Sequence, residues 1–487
     1  MERKNFTYKN VVNELNNLFF DLENTIKYDV EKTHNIKVRN RETSYINALL
    51  YKFKYSIPDT TKQEIVSEMN NLLNKTTNKY SYDYRESQIP ISFYKGMFTK
   101  VSNLYKKLML IDDNKLKEIA VDGVFNNTNV LNKKDNLETT LNLGYYDITN
   151  DIPIDLTYEG DKKKKFELDI LKTYLNDNNI NNNCVLILDR LYCSYEFVNF
   201  LINNNFNFVI RFRNNCKNYD KIKNINKIRI LKYYEEHMNN VTYEKYDNYV
   251  NHKKNKKRKN VKVNKKLLVV GDDKNKFKSV DITMKYEYNL VTNLPIETHN
   301  DIKIKHLYKE RWNVEVFFKL LKYNFKFEHL NEHNNKQNND ACVKLYLVNL
   351  IIVYLAKIIE KSHFYNNYVK TEVTKEKNNK IIKYKNKANK SLSISGVYKI
   401  IENIFNNNLT VSKYENICNN YIKYSLRELG LVKERKAKTP FLKWYVKGHS
   451  NRSLLCKIIQ AKITNDVSKL NVNHIVLYNI CTIKINS

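Results

Sequence analysis

The signatures of a stapled or zinc-held protein are missing from this chain. Its seven cysteines, at positions 184, 193, 216, 342, 418, 456 and 481, are odd in number, spread out, and form no C-x-x-C pair. Neither a disulfide framework nor a zinc site is indicated, and an intracellular compartment fits. The ten histidines form no H-E-x-x-H, so the zinc-hydrolase signature is excluded as well. Long apolar runs are scarce. The greasiest stretch, VKLYLVNLIIVYLAKII (343–359), is interrupted by Lys344, Asn349 and Lys357. It reads as a buried core helix, with no membrane partner implied. The opening MERKNFTYKN is charged and lacks an apolar core, so it does not read as a secretory leader.

Glycine (8) and proline (5) are rare, while Asn, Lys, Tyr and Ile are heavily used. This is the bias of AT-rich codons, so part of the positive charge is codon drift. Acid is in the minority: 84 Lys and Arg against 52 Asp and Glu leave a net charge of +32. Drift alone would scatter the basic residues, and several of them are clustered. A polyanion such as DNA is the favoured partner. With 487 residues, 42% of them hydrophobic, the chain can build two to four domains with substantial cores.

Residues 1–112 read as helical. Apolar positions recur at helical spacing in 11–26, 45–53, 63–73 and 93–110, with breaks at SIPDTT (56–61), where Asp59 is the expected N-cap, and at SQIPIS (87–92). Such a region is either a DNA-binding unit or a packing domain. From 113 the pattern changes. KEIAVDGVF (117–125), TTLNLGYYDI (139–148) and DIPIDLTYE (151–159) read as strands, and KKFELDILKTYLND (164–177) as a helix. CVLIL (184–188) reads as a strand buried on both faces. A helix capped by Ser194 (195–205) and a strand (206–213) follow. The order β-β-β-α-β-α-β predicts an α/β core with a mixed sheet over 113–330. Within it, 214–285 reads as a β-rich insertion, and YNLVTNL (288–294) as a return to the core. Beyond lie an Asn-rich connector (331–340), the apolar helix, a Lys/Asn stretch (369–390) and further helices, so 331–487 reads as a helical C-terminal region.

The most informative segment is YKERWNVEVFFKLLK (308–322). Read as one helix at about 100° per residue, Tyr308, Arg311, Glu315 and Lys322 share a face about 60° wide. Lys319 joins them, while Val314, Phe317, Phe318, Leu321 and Phe325 lie on the other side. One acid ringed by bases on an otherwise apolar helix suits a site that handles metal and phosphate together. The plainer alternative is a surface helix with Arg311–Glu315 and Glu315–Lys319 pairs.

Two further acids lie on core elements. Asp122 is inside the first strand beside Gly123, and Asp189 ends the buried strand, where ligands gather in open α/β sheets. Either could merely begin a turn. Three carboxylates from separate elements can nonetheless hold two divalent ions and leave coordination positions open for phosphate.

Together, DGVFNNTN around Asp122, LILDRLYCSYEF around Asp189, NLVTNLP and YKERWNVEVFFKLLK resemble the IS4-type DDE transposases. The last segment matches the family's Y-x2-R-x3-E-x6-K signature without departure. The resemblance spans residues 115–330 well and the flanks in outline. It implies an RNase H-like core with Asp122, Asp189 and Glu315 as ligands of Mg²⁺, or Mn²⁺ in vitro, at two ions per site. It also implies that Arg311, Lys319 and Lys322 contact the element end with Tyr308 in support, that the partners are double-stranded inverted-repeat ends and target DNA, and that the synaptic complex holds a homodimer. Arg190 is a further candidate DNA contact, as are Arg211 and Arg213. Between Asp189 and Glu315 lie 125 residues, against 66 between Asp122 and Asp189. The longer gap fits the β-rich insertion that this family carries there. The basic run 253–266 is either a DNA contact, a localisation signal or a solvated hairpin tip. A DNA-binding relic and a nuclease on the same fold are the rival functions.

Overall fold

The protein is described from a computed structural model, covering residues 6–35, 37, 43–58, 60–74, 76–112, 115–131, 137–158, 166–177, 183–212, 219–242, 279–325, 329–330, 335–370, 372–377, 380–429 and 481–486. The basic run 253–266, Asp59 and Arg213 lie outside them. The chain divides into two compact units. The first comprises Met1–Arg211, Asn215–Arg229 and Val291–Glu428; the second comprises Phe212–Asn214, Ile230–Leu290 and Leu429–Ser487.

The first unit opens with six helices: α1 (Tyr8–Leu18), α2 (Leu22–His34), α3 (Tyr45–Tyr55), α4 (Lys62–Leu73), α5 (Lys79–Gln88) and α6 (Ile91–Met109). Helix α4 is capped by Thr61, whose side chain accepts from Glu64 N while the Glu64 carboxylate accepts from Thr61 N. That capping box, T-x-x-E, starts the helix where Asp59 was expected to.

The core follows: β1 (Lys117–Leu131), β2 (Leu137–Asp147), β3 (Ile152–Tyr158), α7 (Glu167–Asn176), β4 (Cys184–Leu188), α8 (Tyr195–Asn203) and β5 (Asn207–Phe212). Each expected strand and helix of the core is present, with ends shifted by a few residues. Ser194 caps α8, accepting from Phe197 N. The strands run β3-β2-β1-β4-β5. β2 is antiparallel to β1 and β3, whereas β4 is parallel to β1 and β5. This is the mixed, RNase H-like sheet that the resemblance implied. Strand β4 is buried along its whole length, which explains its unbroken apolar run. The NLVTNLP segment closes the edge beside β5. There Thr292 Oγ1 donates to Phe208 O (2.6 Å), and Asn293 both accepts from Phe208 N (3.0 Å) and donates to Phe206 O (2.9 Å). A short helix, α9 (Tyr219–Lys223), also belongs to this unit.

The second unit contains most of β6 (Arg229–Thr242) and β7 (Ser279–Thr292). The first unit then continues with α10 (Asp301–Glu310), α11 (Trp312–Asn324) and the two-residue β8 (His329–Leu330), which pairs in parallel with Asn127–Thr128. The helix expected across 308–322 is therefore interrupted. At Arg311 the backbone bonds shorten to three-residue spacing, Arg311 N to Tyr308 O and Val314 N to Arg311 O.

Helix α12 (Asn335–Asn366) follows, then β9 (Glu372–Lys377), β10 (Lys380–Ala388), α13 (Lys390–Phe405), α14 (Val411–Tyr421) and β11 (Tyr424–Leu429). The Lys/Asn stretch, inside a region whose sequence reads as helical, instead forms the antiparallel pair β9–β10, and β11 adds a third strand. The last described strand, β12 (Cys481–Asn486), lies in the second unit and pairs antiparallel with β7 from Cys481↔Met284 to Asn486↔Ser279. Helix α12 includes a 27-residue segment, Asp340–Asn366, apolar enough to cross a membrane, but 89% of its most apolar window is buried inside the protein. It is the central core helix, as its sequence suggested. It reaches the sheet edge through Tyr354 Oη, which donates to Pro153 O (2.8 Å), and Lys357, which pairs with Asp151 (2.7 Å).

Two features of this unit yield tests. In the helical layer, Glu86 is buried 3.6 Å from both Lys52 and Lys344 and accepts from Tyr94 Oη at 3.0 Å. Burial pushes its carboxyl up, but the two lysines outweigh burial and hold it below the ordinary range. Its stabilising contribution is therefore complete above the ordinary carboxylate range and is lost as pH falls through the lowered value. Glu86→Gln should flatten that acid limb in urea titrations. It should also cost about 3–5 kcal/mol at neutral pH, because two buried lysines lose their counter-charge. In the sheet, a Cβ on Gly144 would lie 2.5 Å from the Phe318 ring of α11. Gly144→Ala should destabilise by about 1–3 kcal/mol in thermal unfolding, and a second change, Phe318→Leu, should recover part of it.

Candidate active site

The register of two parallel strands brings the first two acids together. β1 pairs with β4 from Lys117↔Cys184 to Val121↔Leu188. The next residue on each chain is Asp122 and Asp189, so the two stand level on adjacent backbones about 4.8 Å apart. β4 ends at Leu188 and the chain turns into a short 3₁₀ helix, Arg190–Tyr192. Asp189 thus sits at the carboxyl end of its strand, where the backbone opens.

The third acid arrives on α11, which rests on the α11-facing side of β2. Gly144 admits the Phe318 ring, and Tyr146 packs against Phe317 with centroids 5.5 Å apart. Alternation along the strand turns Tyr145 the other way, onto α7, where it stacks on Tyr174 at 4.0 Å. Asp122 faces Gly144 across the ladder and so points toward α11. Arg311 then ties the acids together: Nη1 donates to Asp122 Oδ2 (3.2 Å) and Nη2 to Glu315 Oε1 (3.0 Å). Tyr308 Oη reaches Asp189 Oδ1 at 3.5 Å. The structure therefore gathers Asp122, Asp189, Glu315, Tyr308 and Arg311 into one cluster.

The electrostatics follow from burial and mutual charge. Asp122 is raised by burial and by Asp189, against the pull of Arg311 and of the Gly123 N–H that it accepts at 3.0 Å. Glu315 is raised by burial and by Asp122, against Arg311 and Lys319. Burial opposes the Arg311 charge, but Tyr308 and the three acids more than restore it. Burial pushes the Tyr308 hydroxyl up to about 12, so it stays protonated and donates. Arg211 also hydrogen-bonds Tyr308.

The remaining candidates ring the cluster. Lys319 is exposed, with its ammonium 4.6 Å from the half-exposed Trp312 ring. Lys322 lies two turns beyond Glu315 on α11, partly buried, and Arg190 is exposed on the 3₁₀ turn. These are accessible positions for phosphate contacts.

Sequence reading missed one acid, Glu167, the first residue of α7. Its Oε1 lies 2.3 Å from where a Cβ on Gly123 would stand, and its Oε2 accepts from Tyr192 Oη at 2.8 Å. Burial raises its carboxyl, and Asp122 and Asp189 raise it further. The available signal was the glycine directly after Asp122, since a glycine inside a strand marks a close approach.

The donor set suits a hard divalent cation: Asp122, Asp189 and Glu315 offer oxygen only. Among the described residues, no three His, Cys, Asp or Glu side chains converge into a ready-made metal cluster. The Arg311 guanidinium holds two of the acids instead.

Part of the chain is similar to known proteins. The family described as "Transposase DDE domain" matches residues 150–350, a span that includes Asp189 and Glu315. The putative transposase for insertion sequence element IS4SA of Synechocystis sp. is 38% identical over 95 residues, which is 18% of this chain and 27% of that relative. The chain thus matches only about a quarter of the relative's length. The piggyBac transposase in a synaptic complex with hairpin DNA aligns over 91% of this chain and 90% of its own, at 10% identity and a TM-score of 0.36, too distant to bear on fold or function. The stretch that carries Asp189, Arg311 and Glu315 thus matches the description of a transposase DDE domain, and part of the chain is similar to an IS4-type transposase.

Proposed function

We propose that this chain is a cut-and-paste DNA transposase that cleaves strands at the inverted-repeat ends of its element and joins them to target DNA. The observation that carries the reading is the gathering of three acids, Asp122 and Glu315 on Arg311 and Asp189 on Tyr308, with Asp189 and Glu315 inside the matched DDE domain. Divalent metal is the cofactor class of that family, and Mg²⁺ at two ions, replaceable by Mn²⁺, is the proposed form. When bound, such ions activate the attacking water or 3′-hydroxyl and stabilise the leaving oxygen. The chain's own residues do the rest. Asp122, Asp189 and Glu315 supply the oxygen ligands. Arg311 and Tyr308 orient them and present donors to the phosphate. Lys319, Lys322 and Arg190 grip the flanking backbone of the element end.

Residues 1–112 are proposed to contribute DNA binding, and 331–487 to contribute DNA contacts and the homodimer of a synaptic complex. The net charge of +32 favours association with double-stranded DNA. The reaction takes place inside the cell, where that DNA is.

The assay is Mg²⁺-dependent cleavage and strand transfer on the DNA that flanks the gene. Cleavage and joining at those ends are expected for the native chain. Asp122→Ala, Asp189→Ala and Glu315→Ala should each abolish both while end binding in gel shifts persists. End binding with no cleavage by the native chain in Mg²⁺ or Mn²⁺ would overturn the enzymatic reading. Cleavage without joining would assign a nuclease instead. In a separate binding series, Lys322→Ala should reduce the slope of log affinity against log salt by about one unit. An unchanged slope would remove Lys322 from the DNA contacts.

A further inference from the structure

We infer that Glu167 is a fourth acid of this site, one that strengthens divalent-cation binding from the far face of β1 and positions Asp189 through Tyr192. The inference rests on the proposed metal-dependent reading of the site. Asp122 points toward α11, so Gly123, one residue on, faces the opposite side of the strand. On that side the Glu167 carboxylate fills the place a Cβ would take, 2.3 Å from Oε1. Any other residue at 123 would push this carboxylate away from the strand that bears Asp122. The glycine of the D-G pair thus has a defined role: it lets a second carboxylate approach the first through the backbone.

Glu167 is also held from the other direction. Tyr192, 1% exposed, donates its hydroxyl to Oε2 at 2.8 Å. Tyr192 closes the 3₁₀ turn that begins at Asp189, and its own N–H bonds Asp189 O at 3.1 Å. Glu167, Tyr192 and Asp189 therefore form one chain of contacts that fixes how Asp189 leaves β4. The field of Glu167 also reaches both acids, since Asp122 and Asp189 raise its carboxyl in turn. A third negative charge next to two others is unfavourable by itself. It becomes favourable when a divalent cation is bound, so it increases the affinity of the site for that cation. Glu167 is a positioning residue, since nothing places it on the reacting phosphate.

The test is a Mn²⁺ titration of the full-length protein without DNA, with free Mn²⁺ followed by its electron paramagnetic resonance. Glu167→Gln, Tyr192→Phe, Glu167→Asp and Asp189→Asn are compared, with a melting curve for each. Glu167→Gln should weaken Mn²⁺ binding by about tenfold, the usual effect of removing an outer-shell partner. Tyr192→Phe should weaken it less, and Glu167→Asp, which keeps the charge, should recover part of the affinity. If Glu167→Gln melts early, the other two variants carry the comparison. Native Mn²⁺ affinity in Glu167→Gln, with Asp189→Asn weakened, would make Glu167 a structural helix-end acid and overturn the inference alone. Native affinity in Asp189→Asn would overturn the metal reading of the whole site.

Discussion

The register of β1 against β4 is the constraint on which this site depends. Strand periodicity is two, so a slip of one residue would turn Asp122 to the α7 side and bring Gly123 level with Asp189. β4 is apolar throughout and holds no register of its own, because every residue of CVLIL is buried whichever way it faces. The other side of β1 supplies the specification. Gly144, opposite Asp122, admits the Phe318 ring, and Tyr145 beside it stacks on Tyr174 from the opposite face. Packing of α11 and α7 thus locks β2, β2 locks β1, and β1 sets the level of both aspartates. A hydrophobic contact on one strand decides where charge sits on another.

The second constraint is electrostatic. Bringing carboxylates together in a half-buried site is costly: at an effective dielectric of about 20, two unit charges 4 Å apart interact by about 4 kcal/mol. Arg311 offsets this by donating to Asp122 and Glu315 from separate nitrogens. The planar fork of a guanidinium can span two carboxylates on different elements, and the point charge of a lysine cannot do so with the same geometry. The break in hydrogen bonding at Arg311 lies at the residue that must reach the sheet and the helix together. One residue therefore serves the fold, by joining α11 to β1, and the proposed chemistry, by holding Asp122 and Glu315 near one another.

Much of this was legible in the sequence, for identifiable reasons. The core strands and helices could be read because their periodicity is strong and Ser194 is a good cap. Asp122, Asp189 and Glu315 could be singled out because each acid interrupts an apolar element. Other features were hidden. The helix break at Arg311 leaves the spacing of Tyr308, Arg311 and Glu315 helical on both sides, so a wheel drawn through it looks continuous. The strand pair at 372–388 was masked by lysine and asparagine, which carry codon bias more than structural preference. Glu167 was invisible because its partners, Gly123 and Tyr192, are 44 and 25 residues away in sequence and meet it only through the topology of the sheet.

The flanking helices show why a linear division of this chain is less informative than its contacts. Within the first unit the N-terminal and C-terminal helices share one core. Lys54 pairs with Glu402 of α13 and, at 2.7 Å, with Glu68 of α4. Lys344 of α12 joins Glu86 of α5, and Tyr8 hydrogen-bonds His363 at 2.8 Å and meets Tyr414 edge-on at 5.7 Å. Such buried pairs add little net stability over well-packed apolar residues, but they are severely destabilising to break. Their effect is to specify which helix lies beside which, over sequence separations of several hundred residues. Any DNA contact made by residues 1–112 is therefore presented by a body that also includes α12 and α13. Helix α12 reaches the edge of the mixed sheet through Tyr354 and Lys357. These contacts join the helical layer to β3, two strands from the one that carries Asp122.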